Sequence, residues 1–235
     1  MRAAVPSPAL VTVHVWRVPP ASVPAALLRV ARDKLTLRRT PGLRFGKLLG
    51  TGRDGSFSAR EPDLRRWALV ATWDDPEAPG RAPVLARWDR SAPERWRLDL
   101  RPLAAKGSWA GARPFGDPRP QRWDGPVAVL TRARLAPRRA AAFWAAIPPV
   151  TSDLAGCDGL LAAVGMGEAP LGWQGTLSVW RDVPALREFA YGSAAHRAVI
   201  ERTARTGWYA EELFARFGVV RSSGTVNGTD PLPCA

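Results

Sequence analysis

The chain has 235 residues, of which 46% are hydrophobic and 11 are tryptophan, and its formal net charge is +13. This composition is typical of a globular protein with one large domain or two small ones, and it argues against a disordered chain. No segment reaches the roughly 18 apolar residues of a membrane-spanning helix, and the proline-broken start does not fit a signal peptide. We therefore expect a cytoplasmic protein.

The positive charge comes almost entirely from arginine, because only three of the 34 basic residues are lysine. The arginines are scattered along the chain, and neither zinc-finger spacing nor an aromatic RNA-binding motif accompanies them. We therefore expect no nucleic-acid partner. Peripheral contact with an anionic membrane surface stays open as an expectation, since such binding needs only an electrostatic field.

The first half of the chain alternates strand and helix patterns. Residues 10–18 place valines at every second position, which predicts a strand, and the apolar spacing of residues 21–38 predicts an amphipathic helix. The other predicted elements are strands at 42–49, 66–73 and 95–102, a turn at 50–52, and a degenerate helix of one or two turns at 82–89.

The second half repeats this order. Its predicted elements are strands at 126–135, 159–167, 174–180 and 218–226, and helices at 137–147, 184–206 and 209–216. A shift of 117 residues places Gly42 on Gly159, and a shift of 107 places Trp73 on Trp180. These matches indicate an internal repeat.

Strand, helix, strand, strand, helix, strand is the order of a ferredoxin-like unit, and two such units can bury their open sheet faces against each other. The sequence thus predicts an α+β fold in which two fused ferredoxin-like repeats form a pseudo-dimeric α+β barrel. The predicted repeats are residues 9–102 and 126–228. A Gly/Pro-rich connector, 103–125, joins them, and its Trp109 and Phe115 indicate that it packs against the domain.

Few reaction types fit the polar residues. The chain has no nucleophile elbow, and the glycines at 50–52 lack the Lys-Ser/Thr of a phosphate loop. Its two histidines, His14 and His196, lie in different halves, whereas a non-haem metal site needs a cluster of ligands. Haem needs one protein ligand and an apolar slot, so His196 is the candidate ligand. A helix histidine bonded to the backbone is the alternative interpretation.

Further residues complete the expected site. Ile200 lies one helical turn after His196, and Phe189 precedes it on the same predicted helix. Trp180 and Met166 are the expected cofactor contacts on the strands, and Arg132 and Gln174 are expected at the open side of the iron as catalytic groups. Packing in the protein core is the alternative for Phe189, Ile200 and Trp180.

Many separate blocks, in order over about residues 9–230, are similar to the spheroidene monooxygenase family. They include Lys47-Leu-Leu-Gly-Thr-Gly52, Gly107-Ser-Trp-Ala-Gly111, Phe143-Trp-Ala-Ala-Ile-Pro-Pro149, Gly165-Met-Gly-Glu-Ala-Pro170, Gln174-Gly-Thr-Leu-Ser-Val-Trp180 and Glu211-Glu-Leu-Phe-Ala-Arg-Phe217. The resemblance implies an oxygenase that inserts a keto oxygen into an acyclic carotenoid, using O2 and an electron donor such as a ferredoxin.

The same resemblance implies haem b as cofactor, His196 as its axial ligand, and relatives with the dimeric α+β barrel fold, so a homo-oligomer is considered. The apolar substrate could instead belong to secondary metabolism, because a fold does not fix a substrate. Two other functions remain open. One is different haem chemistry, by a dehydratase or an N-oxidising enzyme, and the other is a non-catalytic protein that binds haem or an apolar ligand.

Overall fold

Eight strands and four helices make up the part of the chain that the computed structural model describes, residues 4–52, 62–135, 156–168, 173–192 and 209–233. The strands are β1 (Leu10–Arg17), β2 (Leu43–Gly52), β3 (Pro62–Trp73), β4 (Glu94–Gly107), β5 (Val127–Leu135), β6 (Leu160–Glu168), β7 (Trp173–Trp180) and β8 (Tyr209–Gly224). The helices are α1 (Val23–Leu37), after a short 3-10 turn (Pro20–Ser22), α2 (Ala78–Arg81), α3 (Pro83–Ser91) and α4 (Val183–Gly192). None of the helices described is long and apolar enough to cross a membrane.

The strands form one closed barrel in the order β1-β3-β2-β6-β7-β5-β8-β4, and every pair of neighbours is antiparallel. Within the first half the order is β4-β1-β3-β2, and the second half has the same order, β8-β5-β7-β6. The halves meet where β2 pairs with β6 and where β4 pairs with β8. The α+β barrel predicted from the sequence is therefore confirmed.

Side chains on both faces of the sheet belong to apolar cores. In β1, Val11, Val13 and Val15 point into the barrel, whereas Trp16 belongs to a second core between the sheet and helices α1 and α3. A third, smaller core lies outside the second half, beneath α4. Successive strand residues point to opposite faces of the sheet. Alternate residues of a strand therefore contribute to the core inside the barrel, and the residues between them contribute to one of the two outer cores.

The repeat extends to single contacts. Gly42 and Gly159 both have positive φ angles, 75° and 86°, and each is followed by a strand. A Cβ atom on Gly42 would lie 2.7 Å from the Cβ of Ala78, and one on Gly159 would lie 2.6 Å from that of Ala185. Each glycine therefore allows a helix to pack closely against the strand. The positive φ angle at each position also favours glycine over any residue with a Cβ atom.

The ends of β4 and β8 repeat each other too. The amide of Ser108 donates to the backbone carbonyl of Glu212 at 2.9 Å, and the amide of Thr225, 117 residues later, donates to the backbone carbonyl of Arg95 at 2.9 Å. A hairpin turn follows each strand, closed by the pairs Trp109–Ala112 and Val226–Thr229. These matched contacts support the interpretation of the chain as two fused copies of one unit.

Several sequence predictions need correction. The predicted helix 209–216 is part of β8, whose strand begins at Tyr209. Strand β4 continues to Gly107, so the start of the predicted connector is strand, and the predicted turn 50–52 is the end of β2. Trp109 and Phe115 are buried as expected. The predicted helix 137–147 and most of 184–206 after α4 lie outside the described residues.

Candidate functional site

The outer face of the second-half sheet carries an aromatic pair. Trp180, at the end of β7, is fully buried and stacks on Phe189 of α4 with ring centroids 5.2 Å apart. The indole of Trp180 donates to the Ser178 hydroxyl at 3.0 Å, so its polar atom is satisfied. The structure thus brings together two of the residues predicted to contact a cofactor.

Small side chains occupy several other positions on this outer face. Four large residues of the first-half sheet have small counterparts at the repeat-related positions. His14 corresponds to Thr131, Trp16 to Ala133, Leu48 to Gly165, and Leu69 to Thr176. The four first-half residues are all buried, whereas Thr131, Ala133 and Thr176 keep intermediate exposure. The second-half sheet therefore presents less side-chain volume at these four positions than the first-half sheet does.

In the first half, large side chains fill the corresponding outer face. His14 stacks on Trp16 with centroids 5.2 Å apart, and Trp16 stacks on Trp88 of α3 at 5.3 Å. Trp16 also donates to the carboxylate of Asp89 at 2.7 Å. Burial, with the nearby positive charge of Arg97, lowers the pKa of His14 to about 3, so its ring is neutral at physiological pH. His14 is therefore a core residue, held by stacking.

An ion-pair network lies inside the barrel. The Arg132 guanidinium on β5 is almost fully buried and donates to Glu211 of β8 at 2.5 Å, and it lies 3.5 Å from Glu168 of β6. Glu168 also lies 3.1 Å from the ammonium of Lys47 and accepts a hydrogen bond from the Trp109 indole. Two cations therefore face two carboxylates, which limits the cost of burying charge among apolar side chains.

Glu211 also fastens the hairpin turn after β4. Burial by itself would raise the pKa of Glu211, but hydrogen bonds from the Gly111 amide, Arg132, the Ser108 hydroxyl and the Ala110 amide outweigh it and lower that pKa to about 2. Glu211 is consequently ionised at any physiological pH. Its two oxygens connect strands β5 and β8 to the turn.

A small cavity adjoins this network. Its lining includes Leu49, Trp109, Arg132, Met166 and Glu168, and the space open to the centre of a water molecule is about 10 Å³. That volume fits one water molecule, and a porphyrin is far larger. The described barrel interior is therefore a packed core with an ionic centre, and this cavity is too small for a porphyrin.

The predicted site residues thus fall into three groups. Trp180 and Phe189 lie together outside the barrel, whereas Arg132 and Met166 point inward, so the sheet separates the two pairs. Gln174 is in β7, where its backbone pairs with Ala133 and Gly167, and its side chain is outside the described part. His196 and Ile200 lie outside the described residues as well.

Sequence reasoning missed the partners of Arg132. Glu168 and Glu211 occupy inward positions, two residues from Met166 and Leu213, respectively. A charged residue at a position where the alternating pattern predicts an apolar one could have indicated them. Among the described residues there is no group of three or more His, Cys, Asp or Glu side chains that could hold a metal ion. A haem ligated by one imidazole does not need such a group.

No protein-family model matches this chain. Three proteins named spheroidene monooxygenase are similar to it: that of Rhodobacter capsulatus is 38% identical over 152 residues, that of Rubrivivax gelatinosus 39% over 140, and that of Cereibacter sphaeroides 33% over 144. The matches cover 59%, 59% and 61% of this chain and 62%, 53% and 44% of those proteins, respectively. The chain therefore matches less than two thirds of the length of each relative.

A solved structure of an aldoxime dehydratase has the same fold. Its TM-score is 0.63, the match covers 97% of this chain and 90% of the other, and sequence identity is 12%. At that identity the likeness concerns the fold alone. The resemblance predicted from the sequence is confirmed: over about 60% of its length, this chain is similar to proteins named spheroidene monooxygenase.

Proposed function

We propose that the protein is an oxygenase that oxidises an apolar, carotenoid-like substrate with O2, using a haem b held against the outer face of the second-half sheet. The proposal rests on the similarity to proteins named spheroidene monooxygenase, at 33–39% identity. His196 is the residue proposed to hold the haem iron, Ile200 is a proposed haem contact, and a ferredoxin-type protein is the proposed electron donor. An apolar compound of secondary metabolism is the other substrate class for this site.

The small side chains of the outer face support the proposed location. A flat macrocycle needs a surface with few bulky side chains, and Ala133, Gly165 and Thr176 are small where the first half has tryptophan and leucine. Phe189, stacked on the buried Trp180, forms an apolar wall beside it. Haem, when bound, supplies the activation of O2, and the apolar wall keeps water away from it.

The strand residues take different roles in this proposal. Gln174 is the proposed polar group at the open side of the cofactor. Arg132 projects to the other side of β5, where Glu211 and Glu168 hold it, so we assign it the positioning of β5 and not direct contact with O2. Met166 likewise supports the sheet from inside the barrel.

Filling the proposed slot tests its location. Ala133→Trp restores the side chain that Trp16 provides in the first half, and we expect the purified, haem-supplied protein to lose its Soret absorption band. Ala86→Trp, the same change at an exposed position of α3, is the matched control and should keep the band. Circular dichroism checks that both variants are folded. A full Soret band in Ala133→Trp would contradict the proposed location.

The ligand assignment has its own variants. His196→Ala should abolish the Soret band, whereas His14→Phe, which keeps the aromatic stack and removes the only other imidazole, should retain it. Turnover then separates the functional classes. Oxygenation of an acyclic carotenoid that requires both O2 and a reductant supports the proposal, turnover without a reductant indicates a dehydratase, and a band without any turnover indicates a binding protein.

A further inference from the structure

The outward face of α1 is apolar, although it faces solvent. Leu28 and Leu35 are 76% and 63% exposed, and Pro24 and Ala31 are exposed beside them. These four residues follow the spacing i, i+4, i+7, i+11, which places them in one stripe along a helix. The opposite side of α1 is buried through Ala26, Asp33 and Leu37, so the stripe points directly away from the protein core.

Basic side chains border this stripe. Arg32 and Arg39 lie on one side of it, and Lys34 and Arg38 lie on the other, and all four are exposed. The only acidic residue of the segment 23–39 is Asp33, whose carboxylate is fully buried, accepts hydrogen bonds from Arg87 and the Trp88 indole, and lies 3.5 Å from the exposed Arg32 guanidinium. The surface of α1 is therefore purely cationic around an apolar centre.

A groove of about 320 Å³ continues the surface beside Leu35. Its walls are apolar at Pro41 and Pro83 and basic at Arg32 and Arg39. An interfacial helix combines apolar residues that enter a bilayer with flanking lysines and arginines that meet anionic headgroups. Both features occur here on one face.

We propose that the outward face of α1, defined by Leu28, Leu35 and their basic neighbours, docks the protein on the surface of an anionic lipid membrane. Charge complementarity selects this occupant over an apolar protein partner, because every exposed charge on the face has the same sign. The inference stands on the geometry of α1 and does not require the proposed oxygenase activity.

Vesicle co-sedimentation tests the proposal with the full-length protein, without substrate or cofactor. We expect binding to vesicles of phosphatidylglycerol and phosphatidylcholine at about 0.1 M salt, and much weaker binding to pure phosphatidylcholine or at about 1 M salt. Leu28→Ser/Leu35→Ser should lower the partition coefficient by about tenfold or more, because two apolar side chains no longer enter the bilayer. Arg32→Gln/Arg39→Gln should lower it to a similar extent.

The control is Val220→Ser/Arg221→Gln, which removes one exposed apolar and one exposed basic side chain from β8 and should bind as the unchanged protein does. Equal binding of the α1 variants and this control would overturn the proposal, as would failure of the unchanged protein to bind anionic vesicles. Sedimentation velocity tests the alternative that a second copy of the protein binds this face. A dimer that Leu28→Ser/Leu35→Ser dissociates would also overturn the membrane assignment.

Discussion

His14 is a neutral imidazole enclosed in the first-half core. Its ring is 3% exposed, stacks on Trp16, and has an Nε2 atom without a hydrogen-bond partner among the described residues. A buried polar atom in this state lowers stability, because it loses its water contacts without replacement. The residue also makes folding sensitive to acid, since its pKa is far below the usual value.

We predict that His14 causes a loss of stability in mild acid. The unfolded chain binds a proton at His14 below about pH 6.5, whereas the folded protein does so only near pH 3, so the free energy of unfolding falls as pH drops through this window. The slope is at most about 1.4 kcal/mol per pH unit. Urea unfolding at a series of pH values measures it.

His14→Phe is the matching variant, because phenylalanine keeps the stack and cannot titrate. Between pH 6.5 and 4.5 its unfolding free energy should be flatter than that of the unchanged protein. Below pH 4.5 both proteins lose stability, since Glu211 has its own depressed pKa and is protonated more readily when unfolded. Parallel curves for the two proteins above pH 4.5 would contradict this account.

The sequence predicts some of the site residues well and others poorly. The contact of Trp180 with Phe189 follows from a strand and a helix that adjoin in the chain. The network of Arg132 joins strands β2, β5, β6 and β8, and their neighbourhood depends on how the barrel closes. No local pattern reports such a closure, so the sequence could not show which carboxylates meet Arg132.

At the level of elements, most strands agree with the sequence pattern, and β8 explains the main exception. Its first part, residues 209–216, is rich in alanine, glutamate, leucine and arginine, which favour helices. In the structure Leu213, Ala215 and Phe217 line the barrel while β4 and β5 pair with the strand on either side. Pairing on both edges overrides a weak local preference.

The two repeat-related hairpin turns differ in one informative residue. Each turn has two central residues with positive φ, Ala110–Gly111 and Asn227–Gly228, with φ of 53° and 56° at the first of them. Asparagine and glycine are the residues that tolerate this backbone, and alanine is strained in it. Asn227 also accepts a hydrogen bond from Arg66.

We predict that Ala110→Asn raises the free energy of unfolding by about 0.5 kcal/mol, because asparagine relieves this strain. Ala110→Val is the opposing control and should lower it by about 1 kcal/mol, since a β-branched side chain fits positive φ worst. Urea midpoints measure both effects. Shifts of the same sign in the two variants would show that the turn backbone does not determine the outcome.

At the scale of the whole molecule, the two seams between the halves are unequal. The β4–β8 seam runs from the pair Trp96–Gly224 to the pair Gly107–Leu213. The β2–β6 seam, among the described residues, is limited to Gly50–Gly167 and Thr51–Met166. A short ladder has fewer inter-strand hydrogen bonds to break, so we expect the barrel to open first between β2 and β6.

Hydrogen exchange measures this difference. We predict that backbone amides at the β2–β6 seam exchange at least tenfold faster than those in the middle of β4 and β8, because opening the short seam leaves the rest of the barrel intact. The long β1–β3 ladder, from Leu10–Trp73 to Arg17–Arg66, is the internal control and should resemble β4–β8. Equal protection at both seams would contradict the prediction.

The halves also differ in how they use the same architecture. The first half fills its outer face with Trp16, Trp67 and Trp88, whereas the second half has small residues at several of the corresponding positions. Period two and the repeat were visible in the sequence, but this difference required the register that pairs His14 with Leu69 and Thr131 with Thr176. The register shows which positions of the two halves are equivalent. Only with that knowledge can the smaller side chains of the second half be recognised.

The closed ring of strands has one more consequence, for behaviour at high concentration. Each strand of the described part has a hydrogen-bonding neighbour on both sides. A sheet without a free edge gives no template for another chain to extend, which is the usual first step towards fibres. Fibrous aggregation of the folded protein should therefore have to wait until a seam opens, and its rate would then follow the frequency of that opening.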